Sequence, residues 1–138
     1  MNYPRIIELK RIYDHRGNLS VVEENHEVPF EIKRVYWTYD VPGGESRGGH
    51  AHIDQHEFIV AANGSFTVSI DTGHNKESFF LNHPYRGLYI PSGIWRTLDD
   101  FSSGAVCLVM ASDFFKEEDY IREYDEFLSF IHKSDSTR

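Results

Sequence analysis

Short stretches of alternating apolar and polar residues recur along most of this chain, and period-two alternation marks a strand with one buried face. Residues 6–9, 19–23, 32–39, 66–70, 78–81, 87–90, 95–98 and 106–110 read as strands of this kind or as short apolar runs, bounded by turn formers. Within 32–39 the alternation puts Arg34, Tyr36 and Thr38 on one side. A further strand carries His50 and His52 and continues over 57–62, where Asn63-Gly64 turns the chain. Asp14-His15-Arg16-Gly17-Asn18 and Asp71-Thr72-Gly73 are further turns. The pattern changes near the end. Tyr120, Ile121, Tyr124, Phe127, Leu128 and Ile131 recur every three or four residues, which predicts a helix over 117–132 with acidic residues at its start. Its aromatic stripe is expected to pack on the β-structure or on a partner subunit, and the tail after Lys133 is expected to fray. Many short strands with regular turns predict a barrel or sandwich.

Composition narrows this picture. The 138 residues suit one domain spanning 1–138 with a single core. A formal charge of −8 argues against general binding to nucleic acid or to membrane surfaces. No stretch is long and apolar enough to span a bilayer, and the first residues lack the apolar segment of a signal peptide, so a cytoplasmic location is expected. Cys107, the one cysteine, sits in an apolar run and reads as a buried core thiol.

The chemistry concentrates in one run. From Gly44 to Gly64 the chain reads G-x5-H-x-H-x4-E-x6-G, with His50, His52 and Glu57 at the ionisable positions. Two histidines one residue apart on a strand share a face, so they can hold a metal or move protons. If the strand is regular, His56 shares the face of His52 and Glu57 points away.

This spacing resembles the first signature motif of the cupin superfamily, which implies a mainly β, jelly-roll-type barrel with the helix at its C-terminal end. In metal-binding cupins the two histidines and the glutamate are ligands, and a second motif adds another histidine. The matching stretch here, Gly87 to Asp100, keeps Pro91-Ser92-Gly93 but has Arg96 at the histidine position. A guanidinium offers no lone pair to a metal and suits a phosphate or carboxylate. The departure favours an anionic-substrate site with no metal or other cofactor.

The stretches Ile32-Lys33-Arg34-Val35-Tyr36, Arg47-Gly48-Gly49-His50-Ala51-His52 and Ala111-Ser112-Asp113, together with the ending from Glu118 to Phe127, resemble the sugar 3,4-ketoisomerases. The resemblance covers nearly the whole chain. It implies a homodimeric, metal-independent isomerase that moves the keto group of thymidine-diphosphate-linked 4-oxo-6-deoxyglucose from C4 to C3. The product would feed an aminotransferase making 3-amino sugars for surface glycans such as O-antigen. The resemblance further implies His50 as the leading base, His52 as its shuttling or orienting partner, and Tyr36 as a hydrogen-bond or proton donor to the enolate oxygen. Arg34, Arg47 and Arg96 are candidates for the diphosphate and sugar oxygens, with Arg16, His56 and Trp95 as further substrate contacts. The family usually has Gln where this chain has Glu57. Other readings are a metal-dependent cupin, dioxygenase-like, using His50, His52 and Glu57; a non-catalytic sugar-binding cupin; and a nucleotide-sugar 3,5-epimerase.

Overall fold

In a computed structural model that describes residues 2–136, the chain forms two five-stranded antiparallel sheets and one C-terminal helix. The first sheet contains β1 (Arg5–Glu8), β7 (Arg86–Ile90), β4 (Glu57–Asn63), β9 (Val106–Ala111) and β2 (Arg34–Thr38), in that order. The second runs β10 (Tyr120–Ile121), β3 (Arg47–His52), β8 (Trp95–Asp99), β5 (Phe66–Asp71) and β6 (Lys76–Leu81). This is the expected mainly β, cupin-type jelly roll with a helix behind it. Among the described residues no helix is long and apolar enough to cross a membrane.

Alternation decides which side chains meet between the sheets. Along β4, Ile59 and Ala61 face inward with Phe66, Val68, Leu88, Leu98, Phe101, Cys107 and Val109, and these form the main core. Phe58 and Val60 point the other way, into a second core where Leu9, Val28 and Phe30 of the N-terminal segment cover the outer face of the sheet. β4 is therefore buried on both faces, which its near-continuous apolar sequence anticipates. The Asn63-Gly64 turn is tight. Gly64 has φ +67°, and a Cβ there would lie 2.5 Å from Ser102 Oγ and 2.9 Å from Ala105 Cα. Cys107 is buried, as expected.

Three expectations change. Residues 19–23 form no strand; Leu19 contributes only an isolated bridge to Ile12, and both lie exposed on a short hairpin. The strand bearing the two histidines stops at His52, and 53–56 form a turn before β4. The helix does not begin at 117. A 3₁₀ turn (Glu117–Asp119) leads into β10, whose Tyr120 and Ile121 pair with His52 and Ala51, and α1 then runs Tyr124–Ser136. Strand pairing captures 120–121 because it satisfies the backbone of β3 along its outer edge. The helix packs on the second sheet through Phe127, Leu128, Phe130 and Ile131, against Trp95. The fraying expected after Lys133 falls partly on 137–138, outside the described residues; 134–136 are helical.

Candidate active site

One end of the space between the sheets is ionic. Tyr36 comes from β2, His50 and His52 from β3, Glu57 from the start of β4 and Arg96 from β8, where it lies opposite His50 in the register. Residues 53–56 leave the strand, so alternation restarts at Glu57. Its side chain points inward with Ile59, contrary to the outward placement a continuous strand predicts. His56 correspondingly falls outside. Its Nδ1 lies 2.7 Å from the Tyr89 hydroxyl, among the outer core residues.

A glycine pair shapes the approach to His50. Gly48 and Gly49 have φ +90° and +54°, and the β3–β8 register shifts between Gly48 and His50. A Cβ on Gly48 would meet Leu98 Cδ1 at 2.9 Å and Arg96 O at 3.1 Å, so the bulge depends on glycine there. It places the Gly48 carbonyl 2.8 Å from His50 Nδ1. A carbonyl only accepts, so Nδ1 carries the proton and donates it. The other nitrogen, Nε2, is left with a lone pair; it is buried and has no hydrogen-bond partner. Burial, then the charge of Arg96, lowers the His50 pKa to about 4, so the ring is neutral at pH 7.

Glu57 is the anchor of the cluster. It is 1% exposed and accepts from Tyr36 Oη at 2.8 Å, from Gln55 Nε2 at 2.8 Å and from Arg96 Nη1. Burial alone would push its pKa up, but Arg96 and the surrounding donors outweigh this and hold the carboxyl below its ordinary range. Burial and the Glu57 charge push the Tyr36 phenol up, so it stays protonated. Arg96 is itself 1% exposed and also donates to the Ile94 carbonyl, at 3.3 Å from Nε and 3.1 Å from Nη2.

His50, His52 and Glu57 bring their ligand atoms within 4.8 Å of one another. The donor set does not suit a divalent cation. Glu57 already accepts from three donors, one of them a fixed guanidinium cation, and the Gln55 amide donates toward His52 Nε2 at 3.4 Å. A metal would have to displace these bonds and sit beside Arg96.

Two neighbouring spaces adjoin the cluster. A cavity of about 80 Å³ lies between the sheets, walled by Tyr36, Arg47, His50, Glu57, Arg96 and Cys107. Outside it opens a cleft of about 520 Å³ lined by Tyr36, Arg47, Gly48, His50, Tyr120 and Arg122. Tyr36, Arg47, Gly48 and His50 belong to both. Arg34 stands at the cluster's flank, with Nη2 3.1 Å from Gln55 Oε1 and its guanidinium over the Tyr36 ring.

Of the residues singled out in the sequence, His50, His52, Tyr36, Arg34, Arg47 and Arg96 converge. His56, Trp95 and Arg16 do not. Trp95 points to the opposite face of β8 from Arg96 and packs on Tyr124 and Phe127 of the helix. Arg16 lies exposed on the hairpin, paired with Asp14 at 2.9 Å. Four further residues at the site are not distinguished as site residues by the sequence: Gln55, Asp119, Tyr120 and Arg122. The Tyr120 ring lies against both histidines, with centroids 5.1 Å from His50 and 4.4 Å from His52. The Arg122 guanidinium sits 4.2 Å over that ring and forms a forked pair with Glu117. Only the β10–β3 pairing, which local periodicity does not reveal, brings this segment to the site.

Comparison with known proteins agrees with this architecture. The family model described as "FdtA: WxcM-like, C-terminal" matches residues 2–132. The TDP-4-oxo-6-deoxy-alpha-D-glucose-3,4-oxoisomerase of Aneurinibacillus thermoaerophilus is 44% identical over 129 residues, covering 94% of this chain and 93% of that protein. Among solved structures, the WlaRB TDP-quinovose 3,4-ketoisomerase of Campylobacter jejuni is 44% identical with a TM-score of 0.89, covering 94% of this chain and 99% of that one. The QdtA 3,4-ketoisomerase of Thermoanaerobacterium thermosaccharolyticum, solved as a His-to-Asn variant with TDP-4-keto-6-deoxyglucose, is 36% identical with a TM-score of 0.91, covering 94% of each chain. With its family match nearly end to end, its cupin-type barrel and its buried histidine–tyrosine–carboxylate cluster, the chain belongs to the FdtA family of sugar 3,4-ketoisomerases.

Proposed function

We propose that this protein is a metal-independent isomerase acting on TDP-4-oxo-6-deoxyglucose, moving its keto group from C4 to C3. The reading rests on the names of its relatives and, in the site itself, on one observation: His50 Nε2 is buried, unprotonated and unpartnered at the junction of cavity and cleft. A base needs such a lone pair within reach of the carbon acid. The C4 carbonyl acidifies the proton on C3. His50 Nε2 takes it, and the electron pair becomes an enediolate spanning C3 and C4. The His50 imidazolium then gives a proton to C4, which returns the ring to its neutral form and completes the isomerisation.

The oxygens exchange a proton as well. Tyr36 donates its hydroxyl hydrogen to Glu57, so its oxygen lone pairs are free to accept from a substrate hydroxyl. Tyr36 relays this proton with Glu57: as it accepts the proton of the C3 hydroxyl it passes its own to Glu57, and when Glu57 returns that proton Tyr36 gives one to the C4 oxygen, so neither residue gains a proton overall. Arg96 supplies fixed positive charge beside the developing enediolate without losing its own proton. We assign the diphosphate to Arg47, which lines both cavity and cleft, with Arg34 and Arg122 as further contacts.

The protein is further read as a cytoplasmic homodimer whose product supplies an aminotransferase in the formation of 3-amino sugars for surface glycans. Exposed apolar residues support the dimer: Ile12, Tyr13 and Leu19 on the N-terminal hairpin, and Val35 and Trp37 on the outer face of edge strand β2. Sedimentation should therefore return twice the monomer mass. The test of activity is proton NMR of TDP-4-oxo-6-deoxyglucose in deuterated buffer with chelator-treated protein. The 3-oxo isomer should appear, with solvent deuterium confined to C3 and C4. Turnover only after iron is restored, or exchange at C5, would overturn the assignment.

A further inference from the structure

His52 differs from His50 in having both ring nitrogens engaged. Its Nδ1 lies 3.0 Å from Asp119 Oδ2, and Asp119 is held in turn by the backbone N–H of Asp54 at 2.8 Å and of Gln55 at 3.3 Å. An ionised carboxylate accepts and does not donate, so the His52 proton is on Nδ1. The Gln55 amide then takes the other side. Its two N–H bonds point to His52 Nε2 at 3.4 Å and Glu57 Oε2 at 2.8 Å, while its carbonyl accepts from Arg34. Glu57 Oε2 lies 3.6 Å from His52 Nε2, beyond hydrogen-bond reach, so for a neutral ring the network has one consistent polarity: Arg34 to Gln55, Gln55 to His52 and Glu57, His52 to Asp119. His52 and Gln55 are 0% and 2% exposed, and neither lines the cavity or the cleft.

We infer that Gln55 and Asp119 are positioning residues which lock His52 as a neutral ring protonated on Nδ1, removing it from proton transfer and making it the rigid wall that orients His50 and Tyr120. The ring contacts fit that role. His52 meets His50 edge-on at 4.8 Å and Tyr120 at 4.4 Å, so a flip of its ring would disturb both. Gln55 performs a second task in the same geometry, tying Arg34 to the cluster.

The kinetic side of this inference rests on the proposed isomerase reading; the tautomer does not, and the two fail separately. Long-range proton–nitrogen NMR at pH 7, with His52 assigned by comparison with His52→Gln, reads the tautomer directly. The wild type should show His52 neutral with its proton on Nδ1. Gln55→Leu, which keeps bulk but removes the amide, and Asp119→Asn should each add the Nε2-protonated form. Both should lower kcat roughly 10–100-fold, with a smaller change in KM, as displacement of a base by about an ångström does. A wild-type ring protonated on Nε2, or charged, overturns the inference. So does a fall in kcat with the tautomer unchanged, because the loss would then be structural. Melting curves and TDP binding show whether each variant folds, and the wild-type spectrum decides the matter even if neither does.

Discussion

The two ends of the barrel interior share strands but not chemistry. β4 contributes Glu57 at one end and Ala61 at the other, and β8 contributes Arg96 and Leu98. At the apolar end Phe66 stacks on Phe101 at 5.2 Å among fully buried aliphatic chains. There, packing is nearly the whole of the energetics, and a neighbour of similar volume can substitute. At the ionic end each group depends on a specific partner, because a buried charge or donor left alone has no water to turn to. The apolar end makes the ionic end possible by excluding solvent and fixing the strands from which the partners project.

Removing one residue from each end breaks this comparison most sharply. Glu57→Ala strands the buried Arg96 cation and should cost about 3–5 kcal/mol. Phe66→Ala should cost a similar ~3–5 kcal/mol through its cavity. Urea titrations would give both values. Only Glu57→Ala should abolish turnover in the protein that remains folded; equal turnover in the two variants would remove the distinction between the ends. His50→Asn should come next, lowering kcat about 10²–10⁴-fold in steady-state assays with little change in the urea midpoint.

Acid should act on the ionic end alone. Burial lowers both His50 and His52 to about 4 from 6.5; the Arg96 charge adds to the effect at His50, while at His52 the Glu57 charge opposes it. Between these values the unfolded chain binds more protons than the folded one, so stability rises with pH across the window. The contribution is complete above about pH 6.5 and is lost as pH falls toward 4, on the order of 2–3 kcal/mol per histidine. Thermal melts from pH 4 to 7 should show the loss in wild type and a smaller one in His52→Gln. The smallest effect belongs to the helix. Tyr124 donates to Asp71 at 2.5 Å across α1 and β5, so Tyr124→Phe should lower the melting temperature slightly and leave kcat unchanged.

Much of this was legible in the sequence because period-two alternation is local. Arg34 and Tyr36 do share a face, and so do His50 and His52, as their spacing requires. The failures occurred where alternation was carried across a break. Residues 53–56 carry no Gly or Pro to announce that they leave the strand, so unbroken alternation puts Glu57 outward and His56 inward, the reverse of their positions. Asp119 reaches His52 across 67 positions, and nothing near it distinguishes it from the acidic start of a helix. Tyr120 and Ile121 fit a helical stripe numerically, yet an open backbone edge on β3 claimed them. Periodicity registers which residues want burial, while the partner that buries them is settled in three dimensions.

Cys107 offers a way to watch the barrel open. Its thiol forms part of the inner cavity wall, 1% exposed, and burial ahead of the nearby Glu57 charge pushes its pKa up to about 12. The thiolate that an alkylating reagent needs is therefore scarce in the closed protein. As the chain has no other cysteine, the labelling rate would follow the excursions in which the sheets part. A ligand that bridges the sheets should slow that reaction in proportion to how firmly it holds them together.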